Sequence, residues 1–492
     1  MSPSVEPFNE AKYKALIDGL ECSEVSFSNI DLGDRFDAEY FTKEYLFIDN
    51  TLSKRTTIKL GELASTVASA FYPAATQLYS IGDMPFVRCV DCIDYPIMTK
   101  EQDESFEKIP YSFGKANKGI SFIGKEDIIV TKVGTPCFAT INAEYDEIAL
   151  SRTVLGLTNI KLADPYYLMI FLRCKYGFEQ LYRQRELTIQ YQLTLPRVKS
   201  VNVFLTSKAF QKLVRNIGID YITLHNKANR SYHIAEQLLL STLGMSNFTS
   251  QQQAVSVKLF SESYGFSGRL DAEYYQPKYD QLFDVLKNIP TETLGGKNGI
   301  VTIKKSIEPG SNAYCENGIP FVRVSDVTKF GISDPSVRLP SDIVPNVSSL
   351  YPHKNTILFS KDGSVGIAYK VEEDAEIITS GALLHLTVKN PQEVLPDYLT
   401  LILNSPIVQL QAERDSSGAI IQHWKPSEIE KVVIPMLDIE VQTSISEKVQ
   451  ESFVLRHQSE KLFEYAKRAV EIAIEQDEET AMKWLKEKGV EC

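Results

Sequence analysis

The sequence predicts an α+β protein: two similar globular domains joined by two long antiparallel, coiled-coil-like helices, an internal pseudo-two-fold repeat. Three observations predict it. From Ser207 to Gly244, apolar or small residues recur at alternating spacings of four and three (Phe210, Val214, Ile217, Tyr221, Leu224, Ala228, Ser231, Ala235, Leu238), the seam of a coiled coil. The pattern returns 231 positions later with Val441, Ile445, Leu455, Ser459, Leu462, Ala466, Ala469 and Ala473, interrupted at Lys448 and Ser452. The sequence upstream of each helix repeats as well.

Taken in order, residues 1–24 form an N-terminal helical segment, with an amphipathic helix over Phe8 to Leu20. The first domain (25–204) opens with Asp34-Arg35-Phe36-Asp37-Ala38-Glu39-Tyr40. The second (246–437) carries Gly268-Arg269-Leu270-Asp271-Ala272-Glu273-Tyr274, five identities in seven positions at a distance of 234 residues. Pro85-Phe86-Val87-Arg88 with Asp91 matches Pro320-Phe321-Val322-Arg323 with Asp326. Lys132-Val133-Gly134 matches Lys361-Asp362-Gly363, and Ser151 to Leu157 matches Ser380 to Leu386. A Tyr-Leu helix follows in each copy (Tyr166 to Tyr176, Tyr398 to Leu403), then a strand ending near Phe204 or Leu437. Short strands with Gly and Asn turns, then one or two short helices, make each domain α+β.

A long helix closes each copy, at 205–245 and at 438–478. A helix of roughly 37 residues is on the order of 55 Å long, more than the core of one domain needs, so it suits a spacer. Ala and Ser opposite Leu favour close packing of the two, with Val214, Ile217, Tyr221, Leu224 and Leu238 facing Ile445, Leu455, Leu462 and Ala466. Two unrelated amphipathic helices would show the same period without the duplication upstream. Residues 479–492 read as an acidic tail.

Composition narrows the class. The 492 residues are 43% apolar, enough for two or three full cores. No apolar run is long enough to span a membrane and the first ten residues hold no signal core, so a cytoplasmic location is expected. Seven scattered cysteines point to reduced thiols. Cys89 and Cys92 form a C-x2-C in an expected strand (Phe86 to Val90), with no second pair at zinc-site distance. The formal charge of −12 argues against nucleic acid only weakly, because binding needs a local excess.

Motifs for catalysis are missing: the sequence has no Walker-type phosphate loop, no strand-linked G-x-G-x-x-G, no H-E-x-x-H and no G-x-S-x-G. The matched polar residues are Arg88/Arg323, Asp91/Asp326, Lys132/Lys361 and Ser151/Ser380. Each Arg and Asp, three apart, can pair to fix a loop; each Lys stands before a Gly turn, where an ammonium meets either a phosphate or solvent. Between them the copies differ. Copy one offers Tyr111, Lys115, Lys118, Arg152, Arg183, Arg185, Gln190, Tyr191 and Gln192. Copy two offers Lys329, Ser333, Arg338, Arg414, Ser416, Ser417, Gln422, His423, Trp424 and Lys425. Such side chains read base edges and phosphates, and a constant frame with different polar loops suits two recognition domains with different targets.

On these features the chain resembles the specificity subunits of type I restriction–modification systems. The resemblance runs from about Leu20 to Gln476. It rests on P-F-V-R…D in each copy, the turns at Gly134 and Gly363, Ser416-Ser417-Gly418-Ala419 leading to Ile434-Pro435, and Gln442…Ile445 at the start of the second helix. It implies a non-catalytic subunit whose two target-recognition domains read the halves of a bipartite double-stranded DNA sequence, with the helices as a ruler. It also implies docking of two methyltransferase (modification) subunits, joined by ATP-dependent restriction subunits. No cofactor is expected on this chain; S-adenosylmethionine, ATP and Mg belong to the partners. One departure is Val203-Phe204 ahead of Gln211, where copy two has Ile434-Pro435 ahead of Gln442. The alternative is a protein-binding scaffold of another phage-defence or DNA-repair assembly.

The DNA-contact candidates are therefore Arg88, Lys115, Lys118, Lys132, Arg152, Arg183, Arg185, Gln190 and Tyr191 in copy one. In copy two they are Arg323, Lys329, Lys361, Arg414, Gln422, His423 and Lys425.

Overall fold

In the computed structural model the described residues are 8–27, 30, 35, 37–70, 73–93, 95–186, 191–248, 255–418 and 421–490. The chain divides into two compact units, Met1–Asn226 with His457–Cys492, and Lys227–Arg456. Both long helices form, as Lys208–Thr242 and Ile439–Glu475, and each contributes one half to each unit.

In the first unit a five-stranded sheet runs in the order Ser65–Ala68, Val154–Thr158, Ile128–Thr131, Ala139–Asn142, Ile97–Met98. A four-stranded sheet beside it pairs Phe86 with Ala149 in parallel. Ile128–Thr131 is buried along its whole length, as a β-branched run without alternation requires when both faces are covered. The apolar helix Pro165–Arg173 starts on Asp164, whose carboxylate accepts the N–H groups of Tyr166 and Tyr167; proline follows where no N–H is needed. Seven of its residues, Tyr166 to Leu172, are buried, in one core with Phe210, Val214, Ile217 and Tyr221 and with Phe463, Ala466, Val470 and Ala473. The two helix halves are therefore antiparallel partners.

The second unit repeats the plan. Val301–Lys305, Leu383–Val388, Ile357–Ser360 and Ala368–Lys370 form one sheet, and Phe321 pairs with Ile378 in parallel in another. Helix Pro396–Asn404 shares a core with Tyr232, Ala235, Leu239, Ile445 and Val449. Buried polar residues match at a spacing of 231. Gln180 and Gln411 each bridge their own helix to the strand that leads to the long helix. Gln211 and Gln442 each accept a loop N–H and donate to the carbonyl of Thr206 or Leu437. Tyr167 donates to the Phe204 carbonyl (2.6 Å) and Tyr398 to that of Pro435 (2.9 Å), so Phe204 and Pro435 play one part and the sequence departure there is structurally neutral.

Several expectations are corrected. Cys89 and Cys92 lie in a short helix, Cys89–Ile93, not in the strand, which ends at Val87. The segment expected as an acidic tail forms a helix, Glu478–Glu487, capped by Asp477, with Ala481 and Leu485 buried. The N-terminal helix is shorter than expected, Glu10–Ile17. The buried stripe is one residue wider on each helix than the expected seam, of which Phe210, Ile217, Ser231 and Ala469 are buried as well. Val214, Tyr221, Ala228 and Ala235 lie in it, alternating with Gln211, Gly218, His225, Tyr232 and Leu239, all buried; Leu224 and Leu238 are only half-buried. On the second helix Ile445, Ser452, Ser459, Ala466 and Ala473 alternate with Val449, Arg456, Phe463 and Val470; Leu455 and Leu462 stand at the margin. The heptad itself is unbroken: Ser452 is part of it and Lys448 beside it.

Candidate nucleic-acid interface

In each unit one edge gathers three segments that are far apart in sequence. In the first unit they are the turn after Ile128–Thr131, the loop from Arg88, and Glu186 with Gln192, which are bridged antiparallel. The Lys132 N–H donates to the Thr153 carbonyl (2.8 Å) and the Lys132 carbonyl accepts the Leu193 N–H (2.9 Å). The hydroxyl of Thr153 accepts the Cys89 N–H (3.1 Å) and bonds the Ser151 hydroxyl (2.7 Å). Gly134 takes a positive φ of 90°, which lets its N–H reach the Tyr191 carbonyl at 3.3 Å.

The second unit is built alike. Lys361 donates its N–H to Ala382 and accepts that of Trp424; Asp362 and Gly363, the latter at φ 75°, pair with His423 and Gln422. Ser417 and His423 exchange both backbone bonds (3.0 and 2.7 Å), as the hairpin's base.

What faces outward differs. The Lys132 ammonium is half-buried, no acidic side chain among the described residues pairs with it, and burial pushes its pKa below the usual lysine range. Its counterpart Lys361 is paired with Asp362, which also accepts from His423 Nδ1 at 2.8 Å. Burial works against the Asp362 carboxylate, but the bonds from Lys361 and His423 outweigh it and hold its pKa below the usual range. His423 is 61% exposed, with Nδ1 held by Asp362, so Nε2 is the ring nitrogen left to meet a ligand. Gln422 and Lys425 are exposed too, the latter 3.7 Å from Glu428. Tyr191, Gln192 and Arg152 are their exposed counterparts in the first unit.

Other candidates are committed elsewhere. Arg183 is half-buried, donates to the Tyr40 carbonyl (2.6 Å), pairs with Asp49 and lies over the Tyr40 ring (4.1 Å). Arg185 is buried between the rings of Tyr182 (3.1 Å) and Tyr191 (4.4 Å). Arg414 pairs with Asp415 and lies over Phe283 (4.6 Å) and Tyr274 (5.1 Å). Trp424 is buried against Phe359. Their charge or ring is engaged within the protein, where the sequence led to an expectation of loop contacts. Arg88 and Arg323 hold Asp91 and Asp326, whose carboxylates accept the N–H of Arg88 (2.7 Å) and Arg323 (2.8 Å); this is the loop-fixing role. Lys115 pairs with Glu147 (2.6 Å) over the Phe122 ring (4.0 Å), and Lys329 with Glu236 (3.3 Å), both away from the edge; Lys118 is exposed. Gln190 and Ala419 lie outside the described residues.

The sequence reading missed Asp362 and Thr153 as site residues. The signal for both was their lack of a match: Asp362 faces Val133 across the repeat, and Thr153 faces Ala382. Among the described residues no cluster of His, Cys, Asp and Glu suits a metal ion, and no helix is long and apolar enough to cross a membrane.

No family model matches the chain, and no curated protein matches it. Among solved structures it is similar to a type I restriction–modification system S subunit from M. genitalium, at 13% identity over 85% of this chain and 95% of that one (TM-score 0.37). It is similar also to the HsdS subunit from Thermoanaerobacter tengcongensis, at 14% identity over 86% and 97% (TM-score 0.28). The type IIG restriction endonuclease BpuSI matches at 10% identity over 36% of this chain and 28% of that one (TM-score 0.28). Both type I restriction–modification S subunits are matched over most of this chain and nearly all of their own length.

Proposed function

We propose that this chain is the DNA-specificity subunit of a type I restriction–modification complex. Each unit reads one half of a bipartite double-stranded target, the paired long helices set the spacing, and two methyltransferase subunits dock on the chain. Restriction subunits complete the assembly. S-adenosylmethionine, ATP and Mg act on those partners. One observation carries the reading: the same backbone edge recurs in both units and presents different polar groups. The first offers Lys132, without an acidic partner among the described residues, beside Tyr191 and Gln192. The second offers His423 oriented by Asp362, beside Gln422 and Lys425. Main-chain bonds and paired loops hold the edge, and the unshared side chains supply phosphate and base contacts.

The test is to combine the chain with its methyltransferase partner and map the methylated sequence. His423→Ala should relax one half of the recognised sequence and leave the other half and the spacing intact. Relaxation of both halves, or of neither, defeats the two-reader assignment; an assembly that binds protein but never DNA favours the scaffold reading instead.

A further inference from the structure

Beside the long helices the two units part ways. In the second unit a hairpin, Val327–Thr328 with Gly331–Ile332, carries Lys329 and Phe330 at its turn. Phe330 packs edge-on against Tyr232 (5.0 Å between centroids) and near Phe453 (6.3 Å), with the Arg456 guanidinium 3.8 Å from its centroid. Lys329 reaches over Tyr232 (4.5 Å) to Glu236 (3.3 Å). An aromatic residue and a charged neighbour together fill a slot against the helices.

Displaced by 231 residues, Tyr232 corresponds to Phe463 and Glu236 to Lys467. These two line a groove of about 370 Å³ in the first unit, with Ile93, Pro96, Phe138, Phe178 and Tyr221. Among the described residues after Asp91 no such hairpin is formed, and Tyr95 packs instead on Phe106 (6.3 Å). The place that Phe330 takes in one unit is thus an open aromatic groove in the other. Its rim carries Arg173, which donates to the Cys92 and Ala139 carbonyls, and Glu460, Glu464 and Lys467. The Glu464–Lys467 pair is partly exposed and three apart on one helix, a weak pairing that a ligand carboxylate can replace.

We propose that this groove is a docking site for a partner protein, and that it receives an aromatic side chain with an acidic residue beside it. The aromatic ring takes the place Phe330 holds in the other unit. The sign of the neighbour follows from the exchange of Glu236 for Lys467: a lysine satisfies the first, and an aspartate or glutamate the second. The inference is independent of which DNA each unit reads.

The test uses the full chain with its isoleucine methyl groups labelled, and two short synthetic peptides that differ only in a central Glu-Phe or Lys-Phe. The Glu-Phe peptide should shift the Ile93 methyl signal and bind at least about fivefold tighter than the Lys-Phe peptide. Lys467→Glu, at a partly exposed position that leaves the fold intact, should reverse that order. No shift at Ile93, equal affinity for both peptides, or an order unchanged by Lys467→Glu would each overturn the proposal. So would a shift of Ile93 that grows with protein concentration alone, which would assign the groove to a second copy of this chain.

Discussion

The first unit leaves open, beside Phe463, the slot that the second unit closes with Phe330; at the matched edge the first gives Lys132 no acidic partner among the described residues, where the second ties Lys361 to Asp362. The second unit is the more self-satisfied of the two. The backbone frame is held constant by buried hydrogen bonds, whereas the groups presented to the outside are free to diverge.

That contrast can be pressed hardest through acid. His385 is buried in the second unit, 2.8 Å from the Thr379 hydroxyl, and faces Lys304 across the strand pair; its first-unit counterpart is Gly156. Burial first, then Lys304, lowers its pKa from 6.5 to about 4. As pH falls below 6.5 the unfolded chain takes up a proton that the folded one refuses until about 4, so stability drains across that window and not above it. The loss is about 3 kcal/mol, and denaturant titrations at several pH values should find it in the transition of the second unit and not in that of the first. His385→Gln should flatten the dependence.

Truncating the plug should come next. Phe330→Ala should destabilise the second unit by about 2–3 kcal/mol, because a partly buried ring against Tyr232 and Arg456 is lost. Tyr95→Ala in the first unit should leave its groove as it is, and thermal unfolding of both variants would show whether the asymmetry is energetic.

A third comparison concerns the matched glutamines. Gln442 makes three bonds, to the Leu395 N–H and the Glu393 and Leu437 carbonyls, and Gln211 makes two, to the Asp164 N–H and the Thr206 carbonyl. Alanine at either orphans a loop N–H at a cost of about 2 kcal/mol, with Gln442→Ala the costlier, as measured by denaturant midpoint.

The smallest effect separates the two lysines. Lys132→Ala should weaken DNA binding by the assembled complex evenly across sequences and lower the salt slope by about one, whereas Lys361→Ala should leave the slope unchanged. Equal slopes for both would erase the distinction between them.

The duplication, the helices and most core strands were legible because apolar period and repeated motifs report burial directly. The second half of each seam was not. His225 stacks on Tyr221 (5.6 Å), Arg456 lies over Phe330 and bonds Asn229 (2.6 Å), and Gly218 sits under Tyr166; each fills a seam position next to the leucine or isoleucine that hydropathy selects. The site was legible only in outline. Arg35 and Arg269 belong to the most strongly repeated stretch, yet each is spent on its own Asp (37 or 271) and on carbonyls of the helix end that packs on it. Arg183 and Arg185 look like contacts in sequence and are braces in space, because nothing local reveals that Tyr40, Tyr182 and Tyr191 will cover them.

The two edges share main-chain moorings: Glu186 is bridged to Gln192 and Ser417 to His423, and Gln192 and His423 are bridged in turn to Val133 and Asp362. An attachment made of peptide groups is blind to the side chains it carries. Side chains carried on such moorings can be rewritten one by one without disturbing the frame beneath.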